Sequence, residues 1–267
     1  VRECHVPSKA LRVLQKAIDK YILNAVLIPV SMHGYRKGCS ALSNAVCHRG
    51  KRHIAKYDIK DFFPNIHYIR VNKIFLKLGF SSGEARLLTK LTTVDKCVPH
   101  GFITSPKLAL ITLINADKRL KGLFQKAGLI YTFYSDDITV SGNCDIKKFE
   151  KLIIRIFNQE GFKINEKKIV YRSYLERQEV TGLIVNQVLN LPVEKRQELE
   201  AILYNCLKLG AQTQLDKYWQ VFGVSKKGGK TLGKFRERVW GRINYLRTVN
   251  PKLANKFMGT FNRIDWS

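Results

Sequence analysis

The stretch Ile130-Tyr131-Thr132-Phe133-Tyr134-Ser135-Asp136-Asp137-Ile138-Thr139-Val140-Ser141-Gly142 decides the fold. Apolar, β-branched and aromatic residues run up to two adjacent acids. A second β-prone run begins at Ile138, and Gly142 can end it. The pattern predicts a β-hairpin with Asp136 and Asp137 at its tip. Two like charges side by side are costly unless something positive offsets them, and the usual agent is a divalent metal. The rest of the chain is then searched for a third carboxylate and for substrate-binding surface.

Working outward, His53-Ile54-Ala55-Lys56-Tyr57-Asp58-Ile59-Lys60-Asp61-Phe62-Phe63-Pro64 begins strand-like. Asp58 sits near the strand's end, and Pro64 stops regular pairing. An acid leaving a strand near other acids can ligate a metal, whereas a lone Asp in that place more often caps a helix or forms a turn. The aromatic sequel Phe62-Phe63 makes this case less ordinary. Val98-Pro99-His100-Gly101-Phe102-Ile103-Thr104-Ser105-Pro106 feeds a long apolar helix from Lys107 to about Leu123. Free backbone N–H groups at such a helix start suit an anionic phosphate, although Ser-Pro also favours that position for its own sake.

The flanking segments read as follows. Ser8 can cap a helix to about Leu27, with Leu11, Leu14, Ile18, Ile22 and Ala25 on one stripe. A glycine-marked turn around Gly34 to Gly38 leads to a helix from Ser40 that carries Asn44 and His48. Val71 to Leu78 predicts a short helix. Ile146 to Glu160 predicts an amphipathic one with Phe149, Leu152, Ile153, Ile156 and Phe157 inward. Phe162 to Asn165 and Lys167 to Tyr171 read as basic strands, and Glu179 to Asn186 as a hairpin. From Pro192 the pattern turns helical: Val193 to Leu209, Thr213 to Val221, Lys234 to Val249 and Pro251 to Phe261, around a flexible loop at Ser225 to Lys230.

Charge narrows the function. Lys and Arg number 47 against 21 acids, a formal net charge of +26, far beyond what solubility needs. A basic body with an acidic centre suits a polyanion gripped at a metal site, and nucleic acid is the obvious one. The helical tail carries Lys226, Lys227, Lys230, Lys234, Arg236, Arg238, Arg242 and Arg247. Tyr218, Trp219, Trp240 and Tyr245 lie among them, with core packing the expected role for most of these rings. The six Cys are scattered, with no CxxC and no zinc-type Cys/His spacing. They read as reduced thiols in a reducing, cytoplasmic compartment. No apolar stretch has membrane length, so no membrane partner is expected. No secretory signal opens the chain. It begins on Val in what reads as mid-domain, so a missing N-terminal portion is expected.

The order of these pieces resembles a known family. Asp58-Ile-Lys-Asp-Phe-Phe-Pro-Asn-Ile, then Pro99-His-Gly-Phe-Ile-Thr-Ser-Pro, then Tyr134-Ser-Asp-Asp is similar to the successive polymerase motifs of bacterial reverse transcriptases. Asn44-Ala45-Val46-Cys47-His48 resembles the NAxxH signature of the retron group, and Val180-Thr181-Gly182 its VTG signature. The resemblance spans nearly the whole chain. It implies an α+β right-hand polymerase: part of the fingers in residues 1–53, a palm with an antiparallel sheet in 54–190 (with fingers elements around 70–100), and a helical thumb in 191–267.

It also implies a site. Asp58, Asp136 and Asp137 would hold two Mg²⁺ ions, with the Ile59 carbonyl as a further oxygen. Phe63 would be the aromatic gate that excludes a 2′-hydroxyl. Arg2 would clamp the incoming triphosphate, and Gly101 and Ser105 would line the nucleotide pocket. Asn44 and His48 would serve RNA recognition or local structure, and Lys226, Lys227, Arg236 and Arg242 would contact nucleic acid. The departures are Ser135 in place of the usual Ala, His100 in place of a Gln that touches the incoming nucleotide, and Phe102-Ile103 where Ala-Pro is common. The implied partners are a cognate noncoding RNA and its RNA–DNA product (msDNA), dNTPs, and an accessory effector protein in antiphage defence. The alternatives are a non-retron defence-associated reverse transcriptase and a catalytically idle RNA-binding scaffold for an effector.

Overall fold

The computed structural model describes residues 4–222 and 231–267, with the side chains of 218–222 outside that description. The chain divides into two compact units, 1–181 and 182–267. The division falls ahead of the palm–thumb boundary expected at 190.

The first unit is built on a four-stranded antiparallel sheet. Its strands are β1 (His53–Asp58), β2 (Ile130–Tyr134), β3 (Asp137–Gly142) and β4 (Val170–Ser173), in the spatial order β2-β3-β1-β4. The expected hairpin is therefore β2–β3, and the strand carrying Asp58 lies directly beside it. Side chains alternate between faces along each strand. One face takes Tyr57, Ala55, Ile138, Val140 and Phe133, all buried in the main core. The opposite face takes Asp58, Lys56, Asp137, Thr139, Ser141 and Thr132. One side of the sheet is thus apolar, and the other is polar apart from Ile54 and Ile130 at the end away from the acids.

Helices wrap this sheet: α1 (Lys9–Ala17), α2 (Ala41–Val46), α3 (Tyr68–Lys77), α4 (Ser82–Thr92), α5 (Ser105–Thr112), α6 (Ile114–Ala127) and α7 (Glu150–Gln159). Local chemistry sets their ends. Ser8 accepts from the Leu11 N–H, and Ser40 with Ser43 forms a reciprocal capping box. The same box at Ser81 and Glu84 opens α4, a helix absent from the sequence reading although its S-x-x-E signature is present. The apolar side chains of α7 at Ile153, Ile156 and Phe157 reach the core, under Phe133 of the sheet.

Several expectations need correction. The first helix is shorter than read: α1 passes into a wider turn at Ile18–Ile22 and a tight one at Leu23–Ala25. Leu14 is exposed, and Gln15 is buried instead, donating to the Leu91 carbonyl and accepting from the Ile103 N–H. The long helix after Pro106 breaks at Leu113 into α5 and α6. Leu152 faces solvent. Phe162 to Asn165 is not a strand. It runs beside residues 58–60 through a single bridge, Ile59 with Ile164, and a tight turn at Glu166–Lys168 follows.

The second unit holds α8 (Val193–Leu209), α9 (Ala211–Phe222), α10 (Leu232–Arg247) and α11 (Pro251–Phe261). Leu199, Ile202 and Leu203 of α8, Phe235, Val239 and Ile243 of α10, and Phe257 and Phe261 of α11 are buried. The spacing of three or four is what a helix needs to keep one stripe inward. The proposed loop at 225–230 lies outside the described residues.

Candidate active site

The site begins with a two-residue turn. Tyr134 pairs with Asp137, so Ser135 and Asp136 alone connect β2 to β3. Hairpins this short need a left-handed residue, and Ser135 supplies it at φ +63°. The turn is tied to the neighbouring strand, because the Ile59 N–H donates to the Asp136 carbonyl at 3.0 Å. Asp58 stands directly opposite Asp137 in the β1–β3 pairing. Directly opposed residues project to the same face, with Cβ atoms about 5 Å apart. Three carboxylates separated by up to 79 positions are thereby gathered at one end of one sheet face.

The electrostatics follow from that crowding. Part of Asp137 is exposed, but the protein around its carboxyl penalises the charged form, and Asp136 and Asp58 repel it; its pKa is raised. Lys56 and Lys168 oppose the shift. Lys168 Nζ sits between both carboxylate oxygens of Asp58, at 3.1 and 3.3 Å. The backbone delivers it there: the Asn165 N–H donates to the Asp58 carbonyl, and the tight turn at Glu166–Lys168 follows. Among the described residues no three His, Cys, Asp or Glu side chains form, as they stand, a group that could hold a metal ion. The donor set nevertheless fits a hard cation, being all carboxylate oxygen, and a cationic group already lies against Asp58.

Beside the acids lies a cleft of about 550 Å³, lined by Asp58, Asp136, Phe63, His100, Tyr35 and Lys168 among others. Phe63 and His100 are in ring contact, with centroids 4.6 Å apart. Tyr35 meets Phe63 edge-on at 6.3 Å, and Ser135 Oγ donates to the Tyr35 hydroxyl at 3.0 Å. Sequence reasoning missed Tyr35 and Lys168. Tyr35 lay in a stretch read only as a glycine-marked turn, and nothing local marks either one.

The other expected pocket residues fare differently. The backbone of Ile59 is at the cleft, its side chain in the core. Ser105 is buried and donates to the Pro99 carbonyl at 2.6 Å, so it shapes the 99–105 turn and offers the cleft no surface. Thr104 before it is buried too, which closes off the start of α5 as a phosphate site. Gly101, at φ +98°, packs against the backbone of His5 and the Cys4 sulfur, where a Cβ would collide. Arg2 lies outside the described residues.

Asn44 and His48 do not face solvent. Both are fully buried, so neither has surface to offer an RNA, and the structural alternative accounts for the histidine. His48 Nε2 meets Thr132 Oγ1 at 2.8 Å on β2, and Nδ1 meets Ser141 Oγ at 2.7 Å on β3. Burial pushes the imidazole down to about 3, with His33 and Lys51 adding to the shift. It is therefore neutral, with one ring nitrogen donating and the other accepting. Thr181 Oγ1 donates to the Ala41 carbonyl at the start of the same helix, at 2.7 Å. Thr181 of the second short signature thus bonds to α2, the helix that carries Asn44 of the first.

In the second unit Arg236 is exposed, while Arg242 is half-buried and pairs with Glu198 at 2.8 Å. Trp240 is 53% exposed and Tyr245 43%, against the expectation that these rings pack in the core. Lys226 and Lys227 lie outside the described residues, as do the side chains of Tyr218 and Trp219.

A sequence model of the reverse transcriptase (RNA-dependent DNA polymerase) family matches residues 1–216. The chain belongs to that family. It is 32% identical to the retron Mx65 reverse transcriptase of Myxococcus xanthus, covering 96% of this chain and 60% of that protein. It is also 32% identical to the retron Ec86 reverse transcriptase of Escherichia coli, covering 77% and 65%. The chain therefore spans about three fifths of the length of these curated relatives. Among solved structures, apo telomerase from Candida tropicalis shares the fold, with a TM-score of 0.50 at 12% identity over 96% of this chain and 50% of that one. The right-hand α+β fold is thus common to this chain and to a protein with which it shares little sequence. No helix among the described residues is long and apolar enough to cross a membrane.

Proposed function

We propose that this chain is the polymerase part of a retron reverse transcriptase, an RNA-directed DNA polymerase that copies part of a cognate noncoding RNA into a small single-stranded DNA joined to it. The observation that carries the reading is Asp58 directly opposite Asp137, beside Asp136, at the mouth of an aromatic-walled cleft. In this reading residues 1–53 belong to the fingers, 54–190 to the palm, with fingers elements around 70–100, and 191–267 to the thumb. The retron assignment draws on the resemblance to the Mx65 and Ec86 proteins and on the NAxxH and VTG signatures.

Joining a 3′-hydroxyl to a nucleotide α-phosphate brings several negative charges together. Asp58, Asp136 and Asp137 would hold two Mg²⁺ ions, which when bound would supply Lewis-acid chemistry for the attacking hydroxyl and the leaving pyrophosphate. Asp58, Asp136 and Asp137 supply the hard oxygen ligands, and the short turn fixes Asp136 and Asp137 relative to Asp58. Phe63 acts by shape, since a ribose hydroxyl would meet its ring. Arg2 neutralises triphosphate charge. His100, tilted against Phe63, takes the place of the Gln that ordinarily touches the nucleotide. The exposed cations of α10 track the backbone of the RNA–DNA duplex. The partners are the noncoding RNA, dNTPs and an effector protein, in a cytoplasmic antiphage role.

Asp136→Asn should abolish primer extension on an RNA template with Mg²⁺ while RNA binding survives. Full-length extension by the purified variant would refute the assignment. Sequencing the nucleic acid that copurifies with the protein tests the retron part: an RNA carrying covalently linked DNA is expected, and RNA alone would favour an idle scaffold.

A further inference from the structure

We propose that Tyr35 is a specificity-determining residue of the nucleotide site, bracing the Phe63 ring together with His100, with Ser135 as the residue that fixes Tyr35. The inference rests on the reading of Phe63 as the gate against a 2′-hydroxyl.

A steric gate discriminates only as well as its ring resists displacement. A phenylalanine free to change χ1 would swing away from a ribose hydroxyl at small cost, because staggered rotamers lie close in energy. Phe63 is not free. Phe62 meets it at 5.5 Å, His100 at 4.6 Å and Tyr35 edge-on at 6.3 Å. All three line the cleft, but Phe62 is buried in the core, whereas Tyr35 and His100 keep exposed surface there.

Tyr35 is 51% exposed, which would ordinarily leave a tyrosine mobile. Three features hold it. The segment before it is laced to β2, with the Phe133 N–H donating to the Ser31 carbonyl and the His33 N–H to the Phe133 carbonyl, both at 2.8 Å. Gly34 lies flat on the hairpin, where a Cβ would overlap the backbone nitrogen of Ser135. Tyr35 then turns through a left-handed φ of +57°, and its hydroxyl accepts from Ser135 Oγ. Ser135 is the position where the resembled family usually has Ala. An alanine there has no donor, so the brace depends on this chain's own residue. Two hydroxyls share this bond and only one proton lies in it, so the other proton is left to donate into the cleft, toward a sugar or phosphate oxygen of the nucleotide.

The test uses the whole chain in steady-state primer extension, with each dNTP and its rNTP, for the parent, Tyr35→Ala, Tyr35→Phe, Ser135→Ala and Phe63→Ala. Tyr35→Ala should lower the dNTP-over-rNTP ratio of kcat/KM by about tenfold or more, the scale of a shape contact in a pocket. Tyr35→Phe keeps the edge contact but loses the bond to Ser135, so it should lower the ratio by less than Tyr35→Ala and by about as much as Ser135→Ala. Ser135→Ala should lower it by an intermediate amount. Thermal melting of each variant separates misfolding from a specificity change, since a lost fold lowers both rates together and leaves the ratio. If Phe63→Ala lowers the ratio and Tyr35→Ala and Ser135→Ala do not, the brace is overturned and the gate stands. If Phe63→Ala leaves the ratio unchanged, gate and brace both fall.

Discussion

Replacing His48 with alanine should be among the most damaging single changes in the first unit, although the residue touches no substrate. The ring bridges Thr132 on β2 and Ser141 on β3, both buried, through bonds of 2.8 and 2.7 Å. Removing it strands two hydroxyls away from water, at about 1–3 kcal/mol each. It also empties a ring-sized volume, and large-to-small core changes cost about 2–5 kcal/mol on their own. The parts share atoms and do not simply add, so a loss of about 3–5 kcal/mol is expected. At about 2–4 °C per kcal/mol for a chain of this size, the melting midpoint should fall by roughly 10 °C. A second signature is pH. The folded imidazole titrates near 3 and the unfolded one near 6.5. Between those values the unfolded chain binds the extra proton, so this group's contribution is present above 6.5 and is lost as pH falls toward 3. At pH 5 the loss is about 2 kcal/mol, and the alanine variant should lack it. Chemical denaturation of both proteins at pH 7.5 and pH 5 reads both effects. A variant within about 1 kcal/mol of the parent, or with an unchanged pH dependence, would refute the account.

Millimolar Mg²⁺ should raise the melting midpoint of the parent by ligand linkage. It should not raise that of Asp137→Asn, and an equal rise in both would remove Asp137 from the ligand set. Lys168→Met should change stability by no more than about 1 kcal/mol in urea titrations, because its pair with Asp58 is largely exposed on the lysine side. A larger loss would mean that the lysine holds the cleft together. Arg236→Ala should weaken RNA binding alike across sequences and flatten the log–log salt dependence by about one, as read by filter binding at several salt concentrations.

The sequence disclosed the hairpin because alternation, a two-residue gap and two acids are all local signals. The strand through Asp58 was equally local, but its place beside the hairpin was not; only the resemblance supplied that neighbour. Helices from Val193 and Pro251 were legible to the residue because a proline and a steady period mark them. The failures share a cause. Gln15 is buried because two backbone groups from distant segments need it, Lys168 reaches Asp58 through a bridge 105 positions away, and Tyr35 earns its place through Ser135, a hundred residues on. The asymmetry between Ser105 and His100 is of the same kind. Both sit in one short motif, yet a single bond to Pro99 turns the serine inward. No pattern along the chain encodes contacts that exist only after it has folded.

The sheet's two chemistries also guard against slippage. A one-residue shift between adjacent strands would turn every side chain over, sending Asp137 into the core and Ile138 into the cleft. His48 reaches one hydroxyl on each arm of the hairpin, and a shift of either arm would present it with an apolar neighbour instead. The histidine works as a proofreading peg: a mispaired hairpin, whatever its hydrophobic gain, leaves a buried polar ring unanswered, and the carboxylates meet only when the peg is seated.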